Sequence, residues 1–549
     1  VAVDRRDWAR GLLCGLSRPQ RRDGESGGRS SGECCGVDRN GRSMTISREA
    51  GRALMTGPRD FEDVTISRFH EDILAGRTTA TELTQWYLDR IAAHNVDGAA
   101  INAVVTVNPS ALTEAAERDS AFAASGELSG PLHGVPVLVK DQAETAGIPT
   151  AFGSALFAEY VPARDATVVT ALRQAGAVIL AKTTMCDLAA GWFSSSSRTG
   201  HTRNAYDPTR DSGGSSAGTG AGVSANFGLV GVGEDTGGSI RIPASFNNLY
   251  GLRVTTGLVS RAGFSPLIHF QDTPGPMART VADLAVLLDA MVGYDPADEH
   301  TVVAATAPGV GGYAEAVRLA PDQADWRVGV LETAFGSGQA QALVNQVVRA
   351  AIGSLREHGV GVVDGLRIER LADWIADTSV YLHQSKSDLT AFFASRPGPV
   401  ASFDELYATG VWEPLNDLIP GIADGPDTVE GDPEVARRRL KQADFQRLVL
   451  GRFADAGVDF LVYPTVQVPA PTLEELKAGL YTALTFPTNT VIASQAGLPA
   501  LTIPVGFTGD GLAVGLELVA PPYAERRMLR FAAALERWAP ARKAPTLDL

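Results

Sequence analysis

Short apolar runs recur along this 549-residue chain, and several stop abruptly at a charged pair or a glycine turn. A run without polar alternation belongs to a strand buried on both faces, because each face must meet apolar packing. Residues 104–107, 135–139, 177–180 and 229–232 read this way, with further runs at 328–331, 361–363 and 460–463. Between them lie segments of helical period. Thr79-x-x-Glu82 is a capping box that opens a helix with Leu83, Tyr87, Leu88 and Ile91 on one face. Residues 167–175 are helical and stop at Gly176, and a helix over 277–291 puts Val281, Leu284, Leu288 and Met291 on one stripe. The alternation predicts an α/β fold with a central mixed or parallel sheet covered by helices on both faces.

Residues 300–450 are less regular and helix-rich. Trp326, Trp374, Tyr381, Phe392, Phe393, Trp412 and Phe445 are expected mostly in the core, with a minority lining a substrate pocket. Residues 397–399 and 420–426, rich in proline and glycine, read as loops.

Composition removes several classes of function. Apolar residues make up 44 % and charged residues 20 %, a globular balance. Four cysteines in this length do not make a disulfide scaffold. The net charge of −15 argues against a nucleic-acid groove and against docking on anionic lipid. No apolar stretch reaches the length of a membrane span. The expectation is a cytoplasmic protein with no nucleic-acid or membrane partner.

Residues 1–43 differ from the rest. They hold nine Arg against six Asp or Glu, together with Cys14, Cys34 and Cys35, and show no apolar period. The segment reads as a disordered, basic Gly/Ser/Arg-rich tail. Met44 is the first methionine, which leaves open that the tail lies upstream of the natural start.

Four constellations compete for the chemistry. Residues 176–183 nearly match a phosphate loop, but the second glycine is missing and the middle looks like a buried strand. Gly214-Ser-Ser216-Ala-Gly218 fits G-x-S-x-G, with Ser216 as nucleophile and His269, His300, His358 or His383 as partner. That elbow needs a strand before it, and residues 207–212 are polar and turn-like. The eight histidines show no ligand spacing, so no metal site is expected; His133 and His201 read as structural or surface groups.

The fourth set is Lys140, Ser215 and Ser239. Lys140 ends an apolar strand, where burial can keep its amine neutral against a reference pKa of ~10.4. Ser239 follows a strand and two glycines, a turn that can aim several N–H groups at one oxygen. Ser215 can accept and donate at once, so it can relay a proton between lysine and serine. The plain alternative is a buried salt bridge for Lys140 and glycine-rich packing turns for both serines. Residue types and spacing alone leave the two readings open.

The segments around these residues resemble the amidase signature family of serine hydrolases. Residues 130–141 resemble its lysine segment, 211–218 its Gly-Ser core and 234–246 its nucleophile segment; 275–280, 496–504 and 515–518 are similar to flanking landmarks. The likeness runs from about residue 60 to 540 and thins over 300–450, a variable substrate-specificity region. The resemblance implies one catalytic domain of amidase signature fold, a twisted mixed β-sheet flanked by helices. It implies Ser239 as nucleophile forming an acyl-enzyme, Ser215 as bridging serine after a cis peptide bond, and Lys140 as base and then acid. The N–H groups of Thr236, Gly237, Gly238 and Ser239 would form the oxyanion hole, braced by Ser216, Asp235 and Arg241. No metal or organic cofactor is implied.

Some positions depart from the family pattern. Ala217 replaces a glycine, Glu234 stands where a small or hydroxyl residue is usual, and Asn247-Asn248 replaces Cys-Gly. Trp192-Phe193 and residues 194–197 fall where the pocket wall is expected. The reading is an amidase for a small-molecule carboxylic amide, with aryl amides and carbamates (urethanes) in range and room for a homodimer. The alternatives are an A-type amidotransferase subunit that works in a complex, a silent binding protein of the same fold, and an esterase using Ser216.

Overall fold

All seven apolar runs predicted from sequence are strands of one eleven-stranded sheet. The computed structural model describes residues 35–37, 43–45, 60–321 and 325–547. Within residues 1–60, strand Cys35–Val37 pairs antiparallel with Ser43–Thr45. The disordered tail expected over 1–43 otherwise lies outside the described residues.

From Phe61 onward the chain forms one unit. Its strands are β1 (Val104–Val107), β2 (Pro136–Lys140), β3 (Val178–Thr183), β4 (Val230–Glu234), β5 (Tyr250–Arg253) and β6 (Pro274–Ala278). They continue with β7 (Arg327–Leu331), β8 (Gly361–Leu366), β9 (Phe460–Pro464), β10 (Ala500–Phe507) and β11 (Ala513–Val519). The spatial order is β8-β7-β9-β11-β10-β5-β6-β4-β2-β3-β1. Parallel blocks β4-β2-β3 and β8-β7-β9 flank an antiparallel centre, so the sheet is mixed.

Burial follows the sequence pattern. β2, β3, β4 and β9 are buried at every residue, while the edge strand β8 is partly exposed. Helix Ala80–His94 carries the predicted capping box. Helix Ala217–Ser224, built mostly of small residues, is wholly buried and lies against β2 and β4.

Two readings are corrected. The helix expected over 277–291 starts at Val281, because the Thr280 hydroxyl caps the N–H of Asp283; Met277 and Ala278 belong to β6. Pro274 and Pro276 disguise that strand, since proline argues against a central strand. Part of the loop expected over 420–426 is helix Leu418–Ala423. Pro420 falls in its first turn, where a missing N–H costs no helical hydrogen bond. The loop over 397–399 is present. Among the aromatics of 300–450, Trp326, Tyr381, Phe392, Phe393 and Phe445 are buried, and Trp374 and Trp412 are partly so.

Candidate active site

Lys140 is the last residue of β2, and β2 runs parallel between β3 and β4. The register Val139↔Val232 brings the C-terminal ends of β2 and β4 side by side. The lysine amine, fully buried, donates to Ser215 Oγ at 2.8 Å and to the Glu234 carbonyl at 3.3 Å. Glu234 Oε2 lies 3.4 Å from the same nitrogen. Burial pushes the Lys140 amine down from its ordinary value, against the pull of Glu234. Burial pushes the Glu234 carboxyl up, against the pull of Lys140.

Ser215 sits in a loop that has no strand or helix of its own until Ala217. Buried Asp211 organises it, accepting from the N–H groups of Gly213 at 2.6 Å and Ser194 at 3.1 Å. The Gly214–Ser215 peptide is cis. Asn247 ties this loop to the next element, donating to the carbonyls of Ser212 and Pro243, each at 2.9 Å. Asn248 adopts φ +54°, a left-handed conformation that asparagine tolerates in place of glycine. Ala217 begins its helix with its side chain fully buried.

The turn after β4 carries Ser239. Gly238 has φ +148°, and a Cβ there would overlap Thr490 Oγ1, so only glycine fits. Thr490 Oγ1 donates to the Gly237 carbonyl at 2.7 Å, and Gln271 Nε2 donates to the Thr236 carbonyl at 2.7 Å. These bonds hold the carbonyls outward. Among the described residues, the N–H groups of Thr236, Gly237, Gly238 and Ser239 find no acceptor. The Ser239 hydroxyl is buried and also lacks a partner. The loop carrying Ser215 is joined to this turn by Ser216 N–H donating to the Ser239 carbonyl at 3.1 Å.

An ion network fixes the turn from behind. Arg241 donates to both Asp235 oxygens at 3.0 Å and pairs with Glu517. Arg253 reaches Asp235 Oδ1 at 3.1 Å, and Asp235 Oδ2 accepts from the Ile240 N–H at 3.2 Å. All four charged groups are fully buried. Burial alone would raise the Asp235 carboxyl, but Arg241 and Arg253 outweigh it and hold it at about 2.

The structure therefore gathers Lys140, Ser215, Ser216, Asp235, Thr236, Gly237, Gly238, Ser239 and Arg241 at one place. It adds residues to which the sequence assigns no role: Arg253, Gln271, Thr490 and Glu517. Glu517 falls inside a segment that reads only as a family landmark, and Arg253 ends β5, a strand that the apolar pattern does not reveal. Tyr381 reads in the sequence only as an aromatic. Its buried hydroxyl, also unpartnered, lies where a Cβ on Gly237 would be. Trp192 packs edge-on against Tyr381 at 5.7 Å. Of the expected pocket wall, Trp192 is thus beside the turn. Ser194, Ser195 and Ser196 instead bind Asp211, His201 and Thr199.

The rival motifs lose their context. Residues 178–183 are the buried strand β3, with backbone committed to the sheet. Ser216 follows a loop, not a strand, and its hydroxyl is spent on the Glu234 backbone, at 3.2 Å to the carbonyl and 3.3 Å from the N–H. His133 bonds Ser129, and His201 bonds Ser194 and Ser195.

One place thus holds a Lys140–Ser215 hydrogen bond and, in the turn bonded to the Ser215 loop through Ser216, the unpartnered Ser239 hydroxyl. A family model for Amidase matches residues 82–529. The A-type subunit of the glutamyl-tRNA(Gln) amidotransferase from Thermosynechococcus vestitus is 33 % identical over 498 residues, spanning 86 % of this chain and 98 % of that protein. Its counterpart from Salinispora arenicola is 35 % identical over 489 residues, spanning 84 % and 95 %. Among solved structures, native peptide amidase from Stenotrophomonas maltophilia aligns with TM-score 0.77 at 33 % identity, covering 89 % of this chain and 99 % of that one. A 6-aminohexanoate cyclic dimer hydrolase aligns with TM-score 0.75 at 26 % identity, covering 89 % and 99 %. The chain belongs to the amidase signature family, whose fold it has, and is an enzyme acting on carbon–nitrogen bonds.

Proposed function

We propose that the protein hydrolyses small carboxylic amides through an acyl-enzyme on Ser239. The observation that carries this is the 2.8 Å contact from Lys140 to Ser215, set beside a buried Ser239 hydroxyl without a partner. In the proposed first step Ser239 Oγ bonds to the amide carbon. Its proton passes to Ser215 Oγ as the Ser215 proton passes to Lys140 Nζ. The carbonyl oxygen takes the negative charge under the N–H groups of residues 236–239, donors worth several kcal/mol in such sites, about 3–4 for one. The C–N bond then breaks as the relay runs backward and protonates the amine nitrogen. Water repeats the sequence on the ester and frees the acid. Trp192 and Tyr381 beside the turn favour an apolar or aryl group on the substrate, and carbamates fit the same chemistry.

A second reading has support in the amidotransferase subunits among the relatives: the same relay would release ammonia within a complex. The isolated chain decides between them. Turnover of a panel of aryl and alkyl amides and carbamates, absent in Ser239→Ala, supports the free-standing amidase. Turnover that appears only with partner subunits supports the other.

A further inference from the structure

Glu234 is the unusual group at this site. It occupies the last position of β4, it is fully buried, and its carboxylate oxygen stands 3.4 Å from the Lys140 amine. Its main chain is engaged as well, since its carbonyl accepts from the same amine at 3.3 Å. A serine or threonine here could offer a hydroxyl but no charge. On the far side, Thr236 Oγ1 lies 3.3 Å from Glu234 Oε1 and donates to Asp272 Oδ1 at 2.6 Å. Asp272 is itself buried and bound by the N–H groups of Leu267 and Ile268.

We propose that Glu234 is a positioning residue that acts through Lys140: its carboxyl side chain steers the amine onto Ser215 and makes it a stronger base than burial alone would leave it. The proposal rests on the reading of Lys140 as the base. Among the described residues Nζ has three hydrogen-bond partners, Ser215 Oγ, the Glu234 carbonyl and the Glu234 carboxyl, and two of the three come from one residue. That fixes the direction of the amine's remaining lone pair or proton toward the relay serine.

The other ionisable groups facing the pair are Asp272 from the loop before β6, Asp235 after β4 and Cys186 after β3. Asp235 is neutralised by Arg241 and Arg253. Burial keeps Cys186 a neutral thiol. Burial, and then the nearness of Glu234, hold Asp272 well above the carboxylate range, so it adds little charge. On the neighbouring strand Lys182 is occupied by Asp141 at 3.2 Å. Burial pushes the lysine down, and Glu234 is the charged neighbour that most opposes it. A carboxylate favours the ammonium, and a protonated carboxyl is no worse for it than a glutamine amide. Replacing an ionised Glu234 by a neutral residue thus lowers the lysine's affinity for a proton.

Two variants test it, Glu234→Gln and Glu234→Thr. Lysine labelled with 13C at Cε, with the Lys140 signal assigned by its loss in Lys140→Met, is titrated by NMR in each full-length protein. The midpoint should fall by about one unit or more in both variants, the scale of an opposite charge at this range. The pH at which fluorophosphonate labelling of Ser239 reaches half its rate should fall by the same amount. A Lys140 midpoint that stays in place or rises in a folded variant overturns the proposal. The NMR titration needs no live serine. A lowered midpoint with no labelling of Ser239 in the wild type would keep the role of Glu234 and remove the serine nucleophile; an unmoved midpoint with normal labelling would do the reverse.

Discussion

Asp235→Asn is the perturbation whose cost follows most directly from the geometry. Asp235 is fully buried between Arg241 and Arg253, and Arg241 also pairs with Glu517. Two acids and two bases make the network neutral. Asparagine removes one negative charge and leaves a buried guanidinium short of its partner. Orphaning one member of a buried pair costs about 3–5 kcal/mol. The depressed carboxyl leads to a second figure. A carboxyl held at about 2 against 3.8 ordinarily represents about 2.5 kcal/mol of preference for the charged form. The two routes agree in scale, so a loss of about 2.5–5 kcal/mol is expected. Guanidinium unfolding at pH 7, followed by tryptophan fluorescence, measures it. Because the folded-state value is depressed, this contribution is present above pH 3.8 and is lost as pH falls toward 2. The gap between wild type and variant should narrow over that window. A variant within about 1 kcal/mol of wild type at pH 7 would refute the view that Asp235 braces the turn by charge.

Three further outcomes bear on the site. Lys140→Ala and Ser215→Ala should each lower kcat/KM for an amide substrate by about 10²–10⁴, the usual scale for a lost proton-transfer group. Gly238→Ala should abolish turnover, and adding Thr490→Ala should not restore it, because the Cβ that alanine keeps at 490 still lies 2.7 Å from the new methyl and φ +148° still excludes a side chain; recovery in the double variant would contradict this. Ser216→Ala should lose about 1 kcal/mol of stability, as two backbone contacts at Glu234 are lost, yet Ser239 should still take a fluorophosphonate label.

How much of this is legible in the sequence depends on what each residue advertises. β2, β3 and β4 can be read because unbroken apolar runs have few other uses in a globular chain. β5, β6, β10 and β11 cannot, since glycine, proline and polar residues interrupt them; burial there is shared with neighbours that the sequence does not reveal. Lys140, Ser215 and Ser239 stand out as candidates because strand ends and glycine turns mark local geometry, while the choice of a catalytic over a structural reading comes from the family resemblance. Arg253 and Glu517 cannot, because their partners Asp235 and Arg241 stand 18 and 276 positions away, and such pairs leave no local sign. Thr490 and Gln271 act by side-chain contacts with the turn's carbonyls, which only the fold brings together. Glu234 is visible as a departure from the family pattern, but its distance to Lys140 comes from the parallel pairing of β2 with β4.

On the proposed mechanism Ser239 is the live serine and Lys140 activates it through Ser215. Fluorophosphonate labelling followed by peptide mapping tests it most directly. The account predicts a single adduct on Ser239, lost in Ser239→Ala and strongly slowed in Lys140→Ala. An adduct on Ser216, or labelling of Ser239 at the same rate without Lys140, would contradict it.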